Sequence, residues 1–322
     1  MKALLLTDGK AGHENQSRAF VRALGAEFEL RRVAFRSSLA KSASYLLDNM
    51  GLRTLRLFTV EGAPISRDDG FDVVVGTGSG TFYPAKTVAC AIGAKCGVVL
   101  YPRGYDIASF DCILAPSFDQ PPVRPNILEI PANLVAADAA FYEQGVADFR
   151  EHHLRATGRE VDSNVRAVAV VVGGPNKCST LSPEWMRERL DEIFASHAPT
   201  DSDPRPVRFW TTTSRRTPPE VEAVVDSYPW DYKLVYSRDK FNPIPAFVSL
   251  ADVLYVTAES TGMLSEACTF GAAEVRALDN LLPGPHKFRR FLEGLVENGY
   301  VDGRRKVDLS VQFAAARALL TS

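Results

Sequence analysis

Cysteine is scarce and scattered in this chain of 322 residues: Cys90, Cys96, Cys112, Cys178 and Cys268, odd in number and with no C-x-x-C spacing. That pattern argues against a disulfide framework or a thiolate zinc site. Three of the five lie in apolar segments, as buried thiols in a reducing compartment do. A charge excess is missing too: the formal net charge is −2, whereas nucleic-acid proteins usually carry a basic surplus. Long apolar runs are also absent. The run Ala3–Leu6 stops before Asp8, short of a secretory h-region. Thr87 to Leu100 is broken by Gly93, Lys95 and Gly97, and a bilayer span needs roughly 20 apolar residues. The expectation is a soluble cytoplasmic protein, at most peripheral to the inner face of a membrane.

What the chain does have is an ordinary globular composition, 46% hydrophobic and 24% charged, with material for two cores at roughly 100–200 residues per domain. Short aliphatic or β-branched runs alternate with longer helical patterns, the signature of βαβ units and a mainly parallel sheet. Strands are expected at Ala3–Thr7, Asp72–Gly76, Gly97–Tyr101, Asp111–Ala115 and Ile127–Ile130. A second set falls at Ala167–Val172, Val207–Thr212, Lys233–Tyr236, Val253–Thr257 and Glu274–Leu278. The fold class is therefore α/β, with two Rossmann-like lobes whose parallel sheets face across a cleft. Residues 1–135 form the first domain, 136–164 a helical linker and 165–284 the second domain. Residues 285–322 are C-terminal helices packing back toward the first. Ser182-Pro183-Glu184 reads as the start of a helix, and Ser260 as the cap of another that ends at Gly271.

Four glycine-bearing or basic loops follow strands, where open α/β sheets bind ligands. DGKAGHENQ (Asp8–Gln16) matches neither the P-loop nor the dinucleotide fingerprint. It presents His13, Glu14, Asn15 and Gln16 on the first turn of a helix whose N–H groups favour an anion. A strand–turn–helix junction needs glycine in any case, so both readings stay open. GTGSGT (Gly76–Thr81) permits close backbone approach but lacks the Rossmann spacing, which excludes NAD. GGPNK (Gly173–Lys177) and TTTSRRTP (Thr211–Pro218) add Lys177, Arg215 and Arg216, and Arg forks suit phosphate. Two such loops on one sheet edge point to a diphosphate. In TAESTGMLSEACTFG (Thr257–Gly271), Glu266 lies off the buried stripe and near Gly262 in azimuth. There its carboxylate can accept both hydroxyls of a ribose.

TDGKAGHENQS, the GTG turn, GGP-x-K, TTTSRRTP, LADVLYVTAES-x-x-M-x-SEAC and the terminal KFRRF together resemble the mitochondrial-fission-type Elm family, in order and over almost the whole chain. That family is similar to GT-B glycosyltransferases. The resemblance implies a GT-B-like fold and a nucleotide-sugar site in the second domain. Gly173, Gly174, Lys177, Ser214, Arg215 and Arg216 would meet the diphosphate there. Glu259, Ser260, Gly262 and Glu266 would meet the rest of the donor, with Phe241 and Asn242 near the base. It places an acceptor, an envelope glycan or lipid among the candidates, against Gly12, Asn15, Gly76, Gly78 and Gly80. His13 is the implied general base or acceptor orienter, because imidazole titrates near neutrality; Glu14 is the reserve. The implied activity is metal-independent glycosyl transfer from a nucleotide-diphosphate sugar, which is a substrate, so no cofactor is expected. A non-catalytic adaptor, or a nucleotide-sugar epimerase, is the alternative on the same scaffold. The chain departs from GT-B enzymes at GAAEVRAL, which lacks a proline-bearing turn, and Phe141–Asn164 is longer than the family's usual link.

Three weaker signals complete the reading. Asp201-x-Asp203 matches a metal-binding D-x-D but sits in a proline-rich loop, so no metal is expected. His152-His153 is expected to be exposed on the linker helix. Leu39 to Phe58, with Lys41, Arg53 and Arg56 among apolar residues, reads as a core-facing helix or as a surface for anionic lipid.

Overall fold

The opening residues KALLLT form strand β1 (Lys2–Thr7), buried along all but its first residue. A strand covered on both faces reads as a continuous apolar run. In this computed structural model, which describes residues 1–136, 138–199 and 203–321, the chain divides into two compact units, Met1–Ala136 with Asp308–Ser322, and Ala137–Val307.

The first unit continues through α1 (Ala11–Ala23), β2 (Glu27–Phe35), α2 (Ser38–Asn49), β3 (Phe58–Val60), β4 (Val73–Thr77), α3 (Phe82–Ile92), β5 (Lys95–Val99), β6 (Cys112–Pro116) and β7 (Ile127–Ile130). Its sheet has the order β3-β2-β1-β4-β5-β6-β7, parallel except for the β2–β3 pair. Alternation along β1 feeds two cores: Leu4 and Leu6 pack with Val74 and Tyr83, while Ala3 and Leu5 pack with Phe20 and Val73 on the other face. Chain order reverses between β1 and β4. The loops DGKAGH and GTGSGT leave the carboxyl ends of those two strands, at the topological switch point.

The second unit comprises α4 (Ala139–Thr157), β8 (Arg166–Val172), α5 (Pro183–Ser196), β9 (Val207–Thr213), α6 (Pro219–Asp226), β10 (Tyr232–Leu234), α7 (Ile244–Leu250), β11 (Val253–Thr257), α8 (Thr261–Thr269), β12 (Glu274–Leu278) and α9 (Lys287–Glu297). Its five strands are all parallel, in the order β10-β9-β8-β11-β12. Here the switch point lies between β8 and β11, so GGPNK and TAES share it. Ser182 caps α5 by accepting from the Trp185 N–H, with Pro183 in the first turn.

Some expectations change. The stretch anticipated as a linker, α4, belongs to the second unit. Its Phe149 inserts among Trp210, Tyr232 and Phe247 at centroid distances of 5.3, 4.9 and 5.6 Å. His153, expected to be exposed, is buried against Tyr232 and bonds the Arg159 carbonyl through Nδ1. His152 is partly buried and lies between Tyr232 and Asp239. Of the C-terminal helices, α9 stays in the second unit and buries Phe291, Leu292 and Leu295. The last helix, α10 (Ser310–Thr321), joins the first unit, where Ala316 and Leu320 complete the core around Leu5. The α2 stripe is divided: the helix buries Ser44 and Asp48 and packs Tyr45 and Leu47 on the core, while Leu39, Leu46 and the following Met50 are exposed. Among the described residues, no helix is long and apolar enough to cross a membrane.

Candidate functional site

In the second unit, hydrogen bonds stitch the loops after β9, β8 and β11 into one cluster. The Thr217 hydroxyl bonds the carbonyls of Val172 (3.1 Å) and Gly173 (2.6 Å). The Gly173 N–H donates to Thr257 Oγ1 (2.8 Å) and the Gly174 N–H to Glu259 Oε1 (2.7 Å). A methyl group at Gly174 would lie 2.2 Å from the Arg216 carbonyl oxygen, which is why this position takes glycine. The loops thus meet backbone to backbone.

This corrects one expectation directly. Gly173 and Gly174 are buried and their amides are engaged by Thr257 and Glu259, so in this conformation they cradle no external phosphate. Glu259 is itself 2% exposed. Its Oε2, and the Nδ2 of Asn280 whose Oδ1 accepts from the Glu259 N–H, have no partner among the described residues. Ser260 is also buried but makes no capping bond to α8. The first-turn N–H groups of that helix therefore keep the partial positive charge of an uncapped N-terminus. Gly262 is exposed within that turn and has open space beside it. Lys177, Arg215 and Arg216 are exposed, and among the described residues their side chains have no ion-pair or hydrogen-bond partner. Ser214 supports this turn, its hydroxyl accepting from the Arg216 N–H (3.2 Å).

Glu266 lies on α8, half-buried, and accepts a hydrogen bond from the Tyr142 hydroxyl of α4 (3.1 Å); Tyr142 packs on Phe270. Burial pushes the Glu266 carboxyl above its ordinary value, and the Tyr142 hydrogen bond opposes that shift without cancelling it. The sign follows from linkage. A carboxyl raised in the folded state costs nothing below its unfolded pKa and destabilises increasingly as pH rises toward the folded value. Glu266→Gln keeps an acceptor for Tyr142, so it should raise the melting temperature at neutral pH, with the gain vanishing in acid. A thermal melt series against pH checks this. The residues expected near a base are engaged locally: His152 stacks on Phe241 (4.3 Å), and Asn242 Oδ1 accepts from the Ile244 N–H.

In the first unit the two switch-point loops interlock. His13 Nδ1 lies 3.1 Å from Asp8 Oδ2, while Nε2 has no hydrogen-bond partner among the described residues. Burial alone would raise the Asp8 carboxyl, but the hydrogen bond from Lys10 and the charge of His13 bring it below its ordinary value. The carboxylate stays ionised and orients the ring. The glycines of the second loop are required by this packing. Gly78 has φ +83°, and a methyl group there would meet the His13 ring at 2.3 Å; one on Gly80 would meet Asp8 at 2.8 Å, and one on Gly76 would meet Thr81 at 2.7 Å. Gly12 and Asn15 are exposed, with open space beside Gly12. Glu14, the reserve base, is held by Arg18 at 2.8 Å one helical turn on.

Asp8 and Tyr142 were not among the expected site residues. Asp8 carried a usable signal, an acid at a strand end ahead of a first-turn histidine. Tyr142 carried none, standing 124 positions from its partner. No group of three or more His, Cys, Asp or Glu residues is placed to hold a metal among the described residues. Asp201 lies outside them, and Asp203 pairs with Arg205.

Solved structures of similar fold include the UDP-GlcNAc 2-epimerase of Neisseria meningitidis bound to UDP-GlcNAc, 12% identical, spanning 100% of this chain and 98% of that one at a TM-score of 0.52. A Listeria monocytogenes structure, provisionally described as a UDP-N-acetylglucosamine 2-epimerase, is 14% identical and spans 100% and 88% at 0.53. At such identities the likeness is one of fold: two Rossmann-like units of the GT-B type. No curated protein sequence matches this chain. The family model described as Mitochondrial fission ELM1 matches residues 11–312, and the chain belongs to that family.

Proposed function

We propose that this protein is a metal-independent glycosyltransferase that moves a sugar from a nucleotide-diphosphate donor to a glycan or lipid-linked acceptor. The observation that carries the reading is the β9–β8–β11 loop cluster, with three unpaired cations around it. Lys177, Arg215, Arg216 and the uncapped N-terminus of α8 offer what a departing diphosphate needs, positive charge to stabilise it as the bond breaks. Glu266 takes the ribose hydroxyls. His13, oriented by Asp8, accepts the proton of the acceptor hydroxyl through its unpartnered Nε2.

Thermal stabilisation by UDP-, GDP- and CDP-sugars tests the donor half. UDP-GlcNAc, the ligand of the Neisseria structure, is the first probe. One sugar series should stabilise the protein, and Arg215→Ala should weaken its binding about tenfold, as expected for a charge-assisted phosphate contact. Absence of any shift at millimolar ligand would overturn the reading. Sugar isomerisation without an acceptor would assign an epimerase instead.

One observation favours a second reading, a non-catalytic binding protein: the Glu259 carboxylate already sits on the Gly174 amide and repels a phosphate approaching it. If that carboxylate is the obstacle, Glu259→Gln binds nucleotide where the parent does not.

A further inference from the structure

Helix α2 leaves one apolar face uncovered. Leu39, Ala43, Leu46 and Met50 recur at the spacing that places them on one helical face, and Leu39, Leu46 and Met50 are 79%, 65% and 61% exposed. The opposite face carries Ser44 and Asp48, both fully buried. Asp48 is paired with Lys86, and the Ser44 hydroxyl bonds the Lys41 carbonyl and the Tyr105 hydroxyl. Lys41 at that inner side reaches the Ser79 hydroxyl (2.9 Å). Tyr45 and Leu47 pack on the core to either side, so this inner side is the anchored one, and rolling the helix to hide Leu39, Leu46 and Met50 would strand a buried ion pair. The patch continues past the helix through Leu52 and Leu55, each about half exposed.

The charge on the patch is predominantly positive, with the exposed Glu61 at its edge. Between Arg36 and Val60 the sole acid is Asp48, buried against Lys86, whereas Arg36 and Arg56 are exposed and Arg53 is partly so. Beside it, a cavity of about 350 Å³ is lined by Arg36, Leu55, Phe58, Val60, Ile65 and Val88. Exposed aliphatic side chains along roughly 18 Å of helix, flanked by Arg36, Arg53 and Arg56 against the single exposed acid Glu61 at the edge, match the interface of an anionic bilayer. There, apolar side chains sink beneath the headgroups and cations meet the negative surface potential.

We propose that α2 and the Leu52–Arg56 segment form a docking surface for anionic lipid bilayers. This goes beyond the nucleotide reading and stands without it. The test is co-sedimentation of the full chain with vesicles of phosphatidylglycerol and phosphatidylcholine in equal parts, against phosphatidylcholine alone. The chain should partition onto the anionic vesicles and leave them at high salt. Leu46→Ser with Met50→Ser should lower partitioning by about tenfold or more, and Arg36→Glu with Arg56→Glu should abolish the preference for anionic lipid. All four positions are at the surface, so the folded state is checked by an unchanged melting temperature. Failure of the parent chain to bind anionic vesicles, or undiminished binding by the leucine–methionine variant, would overturn the proposal. So would a concentration-dependent dimer that those substitutions dissolve, because a second copy would then be the occupant. Nucleotide stabilisation should survive in these variants, which separates this surface from the donor site.

Discussion

Lys86→Met should cost about 3–5 kcal/mol of stability, the loss expected when one partner of a buried ion pair is removed. The Lys86 ammonium is 2% exposed and donates to both Asp48 oxygens and to the Asp106 carbonyl, each at 2.8 Å. Asp48, wholly buried, has one other donor among the described residues, the Asp106 N–H. Burial pulls the Lys86 amine below its ordinary value against the opposing pull of Asp48, so the pair is held together at a desolvation cost. Without the ammonium, the carboxylate keeps a single amide in a dry pocket. The urea midpoint should fall in the transition of the first unit. Lys86→Met combined with Asp48→Leu should recover much of the loss, because two apolar groups leave no stranded charge. A double variant no more stable than the single one would mean that the pair does not act as a unit.

His13→Ala should lower turnover by about 10²- to 10⁴-fold, the usual contribution of a general base, with donor affinity nearly unchanged. The geometry motivates this split: the imidazole has Nδ1 on Asp8 and Nε2 unpartnered, and neither residue is among the donor-side cations. Asp8→Asn should fall in the same direction but less far, because it disturbs the ring's orientation and tautomer rather than removing the base. Equal losses in turnover and donor affinity for His13→Ala would refute the chemical role. The residue would then be a packing group for Gly78, whose bare backbone the ring covers.

Strands buried on both faces were legible because they read as unbroken aliphatic runs: LLL in β1, VVV in β4 and VAVVV in β8. β2 was missed for the opposite reason. Its residues EFELRRVAF place charges at partly buried and exposed positions, and no continuous apolar run marks it. The loops at the strand ends could be located from glycine and charge, but not their internal bonding. Nothing local in GGPNK says that its amides are taken by Thr257 and Glu259, more than eighty residues on. The same distance effect hid the Tyr142–Glu266 bond. For α2 the helical period was legible but left two directions open, because the ion pair that turns Asp48 inward depends on Lys86 from another helix.

The central claim is that Arg215 and Arg216, at the loop edge of the second unit, contact a nucleotide diphosphate. Phosphorus NMR of UDP titrated with the protein observes that contact at the atoms concerned. The account predicts that the β-phosphorus signal shifts or broadens with the parent chain and returns to its free position with Arg215→Ala/Arg216→Ala. A signal unmoved by stoichiometric protein for UDP, GDP and CDP alike, or moved equally by the double variant, would contradict it.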